Sequence, residues 1–277
     1  MRRETDPRQR QRGFTLVEMI VAIVVMGVLA GVISMFVRNQ VTAYSDVAQR
    51  ADLADQADTA VRRIMRDLQS AVPNTVRVSG NFLEFVPIRD AGRYRAQDGV
   101  PADDELDFTN AADNSFEVFG PGVTVLAGDQ LVISNLGIPG ADYYAGDTRR
   151  PLTSTGAGLN ALTFAIGAGQ FPFASPQNRF QVAMPPVTYA FDAATRTLWR
   201  YTGYAIQAAQ VTTIAGLDAL PGVTRAALAT DVNVVTSVFS FGAAALQRNA
   251  IVSVRLTLAR NGESVTLFQQ VNIFNSP

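Results

Sequence analysis

Between Phe14 and Val37 the chain runs 24 residues with a single charge, Glu18. As an α-helix this segment extends ~36 Å, enough to cross a hydrocarbon core of ~30 Å. Five arginines precede it, against Glu4 and Asp6, for a net charge of +3 over the first thirteen residues. By the positive-inside rule that end stays in the cytoplasm and the rest of the chain is carried across the membrane. A carboxylate inside such a segment costs ~3 kcal/mol at mid-membrane, less near an end, and by default signals function. It needs a cation. Arg38 lies twenty residues on, ~30 Å along a helix and out of reach. A cut between Gly13 and Phe14 creates a new α-amino group four residues from Glu18. That amine can compensate the acid within one chain or, between staggered chains, neutralise a neighbour's acid as both charges are buried.

Gly13-Phe14-Thr15-Leu16-Val17-Glu18, followed by an unbroken apolar helix, resembles the N-terminal signature of type IV pilins and type II secretion pseudopilins. The resemblance implies that a prepilin peptidase cuts after Gly13, that Phe14 becomes the methylated N-terminus, and that Glu18 is the assembly residue. It also implies a single-pass inner-membrane protein with a cytoplasmic N-terminus and a periplasmic head, which then enters a pilus or pseudopilus. The implied partners are the peptidase, major and minor pilin subunits, the inner-membrane assembly machinery and, before assembly, lipid. A secretory signal peptide would have an apolar core of ~7–15 residues with a small-residue cleavage site after it; Arg38-Asn39-Gln40 offers no such site. Arg2-Arg3 is followed by Glu4-Thr5 rather than the apolar residues of a twin-arginine signal, so it reads as a plain basic leader. An ordinary signal-anchored helix explains the length and the charge asymmetry but leaves Glu18 without a role.

The composition excludes much chemistry. The chain of 277 residues has no cysteine, no histidine and no lysine, so all 23 basic residues are arginine. Ser-His-Asp catalysis, His-ligated zinc, Schiff-base chemistry, thiol nucleophiles and a P-loop lysine are therefore impossible. Net charge is −1, falling to −4 without the leader, and no basic patch is left to favour nucleic acid. The expectation is a non-enzymatic protein with no cofactor and no metal.

Beyond Arg38 the helical period continues as a single stripe: Val41, Tyr44, Ala48, Ala51, Ala54, Ala57, Val61, Ile64, Leu68 and Ala71, with most charges off it. Pro73 ends the helix. Gly27 and Gly31 form a small-xxx-small pair, suited to close helix packing or to local unwinding. The expected organisation is a leader at 1–13, a long helix at 14–72 (14–37 for membrane and filament core, 38–72 amphipathic) and a β-rich head at 73–277.

From Thr75 the period becomes two. Hairpins are expected at 75–86 around Gly80-Asn81, at 187–204, and at 250–273 around Asn261-Gly262. Further strands are expected at 116–119, 123–126, 130–134, 162–166, 179–184 and 232–241. Residues 89–114 and 137–160 read as long surface loops. The whole is an α+β architecture, pilin-like, with one long N-terminal helix on a mostly antiparallel sheet.

Residues 72–81 and the closing 270–277 segment resemble the MshO-type minor pilins of MSHA pili, and the J-type pseudopilins share size class and helix-then-sheet order. A signal-anchored periplasmic binding protein and a tip adhesin on a pilin stem are the competing readings. Asp98, Asp103, Asp104, Glu105 and Asp107 crowd one segment, but Phe108 replaces the glycine of a calcium loop and Asn114 its bidentate Glu. A solvated acidic loop is the preferred reading. Trp199 and Tyr201, with Tyr189 and Phe191 on the neighbouring strand, could make an aromatic platform for sugar; core packing is preferred.

Overall fold

The computed structural model describes residues 13–97, 99, 104–167, 169–242 and 249–274. Helix α1 spans Leu16–Gln69, 54 residues or ~81 Å. Its last turn tightens, Ser70 N–H donating to the Asp67 carbonyl at 3.2 Å and Ala71 N–H to that of Leu68 at 3.1 Å. Val72, held extended by Pro73, leaves the helix and donates to the Val86 carbonyl at 2.8 Å.

The chain forms two compact units, 1–51 and 52–277. In the first, the described apolar side chains of α1 are exposed. In the second, Leu53, Ala57, Ala60, Val61, Ile64, Met65 and Leu68 are buried in the main core. The expected stripe is therefore core from residue 53 onward, with Leu53, Ala60 and Met65 added. Val41, Tyr44, Ala48 and Ala51 are exposed, and Ala54 is half-buried.

The strands are β1 (Arg77–Ser79), β2 (Phe82–Phe85), β3 (Ile88–Arg93), β4 (Ser115–Glu117), β5 (Val123–Val125), β6 (Gln130–Val132), β7 (Arg149–Pro151) and β8 (Gly156–Leu159). They continue with β9 (Ala161–Thr163), β10 (Arg179–Ala183), β11 (Val187–Asp192), β12 (Thr197–Thr202), β13 (Thr224–Ala229), β14 (Val238–Gly242), β15 (Asn249–Arg260) and β16 (Glu263–Phe274). A short helix α2, Ile214–Asp218, precedes β13 and is capped by Thr213, whose side chain accepts from Gly216 N–H. The sheets are ordered β1-β2-β11-β12-β13, β3-β10-β6-β7 and β14-β15-β16, with two-stranded ribbons β4-β9 and β5-β8. Their ladders are antiparallel. This is the α+β, pilin-like arrangement expected: the C-terminal part of α1 packs on antiparallel sheets.

Two large cores lie in the head, with two smaller buried clusters besides. The first joins α1 to the inner faces of the five- and three-stranded sheets, through Leu83, Phe85, Tyr189, Phe191, Val254 and Leu256 among others. The second is aromatic and lies among the shorter strands, with Tyr94, Phe116, Phe164, Phe171 and Phe180 in contact. Both expected long loops in fact contribute strands. β3 covers the first residues of 89–114, and Tyr94 and Leu106 from the same stretch are buried. β3 lacks an apolar period because Gly92 lies against Phe180, where a Cβ would come within 2.8 Å of the ring. In 137–160, β7 and β8 have the sequences Arg-Arg-Pro and Gly-Ala-Gly-Leu, which carry no period-two signal.

Candidate functional site

The site is built on the start of α1. Gly13 and Phe14 precede the helix and are exposed, Phe14 at 76%. Thr15 is the residue before the first helical position, and its Oγ1 accepts from Glu18 N–H at 3.3 Å. Met19 N–H meets the Thr15 carbonyl at 3.1 Å, the first helical bond. Thr15 and Glu18 thus have the spacing of a capping box. Glu18 sits in the first turn, where a carboxylate faces the positive end of the helix dipole. This local role for Glu18 was readable in Thr-x-x-Glu, although the acid's isolation in apolar sequence draws attention first.

From Leu16 to Val37, sixteen large apolar side chains are each at least half exposed. The most apolar window of α1 has a mean hydropathy of 2.8, with none of it buried by the rest of the chain. At roughly 2 kcal/mol per side chain, leaving this surface in water costs tens of kcal/mol, so lipid or other helices must cover it. Gly27 and Gly31 have open space where a Cβ would stand, which leaves the backbone there open to close approach.

Several charged residues of the head form pairs. Asp67 near the end of α1 accepts from Tyr189 Oη at 2.7 Å, Arg200 Nε at 3.0 Å and Arg63 Nε at 3.1 Å, tying the helix to β11 and β12. Arg77 and Glu84 face each other across the β1–β2 hairpin. Arg77 Nη2 lies 2.7 Å from the fully buried Glu84 carboxylate, while Arg77 also donates to the carbonyls of Gln207 and Ala208 and covers the Tyr144 ring at 3.7 Å. Burial pushes the Glu84 carboxyl above its ordinary range, and the neighbouring Arg77 opposes that rise. The expected hairpin with its two-residue turn already sets 77 opposite 84, so this pair was legible. The Asp67 cluster was not, since it depends on the crossing of α1 over β11 and β12.

Of the acidic segment, Asp98 and Asp103 lie outside the described residues. Asp107 Oδ1 accepts from Thr109 N–H at 2.7 Å and Thr109 Oγ1 at 2.6 Å, and Asp113 Oδ2 accepts from Asp107 N–H at 2.7 Å. The Thr109 hydrogen bonds hold the Asp107 carboxyl below its usual range. These carboxylates cap their own loop. Among the described residues no group of three or more Asp or Glu is placed to hold a metal.

The four aromatic residues considered as a platform lie on opposite faces of one sheet. The register sets Ala190 against Trp199 and Phe191 against Leu198. Tyr189 and Phe191 therefore point into the main core, while Tyr201 is buried with Tyr204 and Leu217 on the other side, with Trp199 packed against them. Trp199 is half-buried beneath the Arg225 guanidinium at 4.5 Å. No shared aromatic surface exists.

No match to the chain is found among curated proteins or among solved structures. Residues 8–34 match the family model of the prokaryotic N-terminal methylation motif. A motif of this prepilin type, at the head of an uncovered apolar helix, indicates a type IV pilin-like protein.

Proposed function

We propose that this chain is a minor pilin of a type IV, MSHA-like pilus, cut by prepilin peptidase between Gly13 and Phe14 and N-methylated on Phe14. It is held in the inner membrane by residues 14–37 with the head, 73–277, in the periplasm. It then enters or initiates the filament as its apolar helix leaves lipid for a bundle of like helices. The observation that carries this reading is the capped, wholly uncovered apolar start of α1 within the matched motif. Pilin-like proteins are typically structural rather than catalytic.

Cleavage gives Glu18 a second task. The new amine of Phe14 stands beside the first turn of α1, where the helix dipole disfavours a cation. A carboxylate from the same or an adjoining subunit compensates both the amine and its own burial. Glu18→Ala is expected to leave membrane insertion and head folding unchanged while reducing incorporation into sheared filaments at least several-fold. Incorporation equal to that of the parent chain would remove Glu18 from assembly.

A further inference from the structure

Strand β16 pairs with β15 residue for residue, from Arg260–Glu263 to Asn249–Phe274, with no bulge. In the order β14-β15-β16 its other edge has no strand beside it among the described residues. The turn decides which backbone groups face that edge. Asn261 and Gly262 are its two central residues, with φ of 51° and 88°. The Arg260 carbonyl and Glu263 N–H therefore close the turn as a hydrogen-bonded pair. Alternation along the ladder then turns the N–H and C=O of Ser264, Thr266, Phe268, Gln270 and Asn272 outward, a row ~27 Å long.

Edge strands ordinarily carry lysine, proline, a bulge or a short length to prevent pairing. β16 has none of these: it is 12 residues long and its single charge, Glu263, sits at the turn. Phe268, 57% exposed and flanked by the Arg255 guanidinium at 6.0 Å, stands at mid-edge. An uninterrupted row of alternating donors and acceptors is satisfied by an extended backbone and by neither a helix nor a small ligand.

Building on the pilin reading, we propose that β16 accepts an extended segment of a different pilin-type subunit in the same filament, added to the sheet as a further strand. The segment is uncharged over its middle and apolar opposite Phe268. A second copy fits less well. Antiparallel self-pairing is two-fold and closes on itself, whereas a filament grows through open-ended contacts. Parallel in-register self-pairing sets Glu263 against Glu263.

The test is amide hydrogen exchange on the full chain, detergent-solubilised and in sheared filaments. The five outward amides are expected to exchange fast in detergent and roughly tenfold or more slower in filaments, while those of Val265, Leu267 and Val271 are slow in both. Gln270→Pro removes an outward donor without touching the β15 ladder and is expected to lower incorporation several-fold; Gln270→Ala, which keeps the backbone, is expected to incorporate normally. If the proline variant does not fold, the exchange rates of the unaltered chain decide alone. Unchanged outward amides in a chain that does enter filaments would overturn the strand addition and leave the pilin reading standing. Equal protection in a concentration-dependent dimer in detergent would overturn the choice of partner. A chain that keeps its leader and never enters filaments would overturn the pilin reading, and this inference with it.

Discussion

Thr15 and Glu18 cap the start of α1, and under the proposed function the same acid is the charge that assembly compensates. Elsewhere single residues fix the head. Glu84 is fully buried and depends on Arg77, so Arg77→Ala leaves a buried carboxylate without its cation. The expected cost is about 3 kcal/mol at neutral pH, read by denaturant unfolding, and it shrinks in acid as the carboxyl takes up a proton. The raised Glu84 pKa also sets a sign for the parent protein. The folded state holds this proton more tightly than the unfolded chain, so the group's contribution is full in acid. It is lost as pH rises from the ordinary carboxylate range through the raised value. The stability of the parent chain relative to Glu84→Gln is therefore expected to fall across that window; a flat difference would contradict the assignment.

At the scale of elements, α1 has two chemically distinct stretches. Ile64 is fully buried in the main core, and Ile64→Ala is expected to destabilise the head by about 3 kcal/mol. Val24, 59% exposed, contributes nothing to that core, and Val24→Ala is expected to leave the melting temperature of the head unchanged. What the sequence disclosed follows the same division. α1 and the hairpins at β1–β2, β11–β12 and β15–β16 were legible because period and turn residues agree, as at Asn261-Gly262. β3, β7 and β8 were not, because Gly92 packs against the Phe180 ring in place of a side chain and the runs Arg149-Arg150-Pro151 and Gly156-Ala157-Gly158 carry no apolar alternation. β13, Thr-Arg-Ala-Ala-Leu-Ala, and the single-turn α2 carry too little apolar contrast to stand out. At the site, the cap of α1 was legible in Thr15-x-x-Glu18, whereas the Asp67 cluster needs the tertiary crossing of helix and sheet.

For the whole molecule, the division at residues 51 and 52 predicts that a fragment beginning at Asp52 folds without detergent and melts cooperatively, since the core residues of α1 all lie beyond that point. Aggregation of this fragment, or loss of its near-ultraviolet circular dichroism, would mean that the head needs the apolar stretch to fold. Among the described residues the apolar stretch has no partner, and under the proposed function its partners are lipid and then other helices. Processing links those two states in the proposed function, and the most direct measurement of it is the intact and N-terminal mass of the protein purified from filaments or membranes. A chain beginning at a methylated Phe14 is the predicted result; a chain still beginning at Met1 would contradict it.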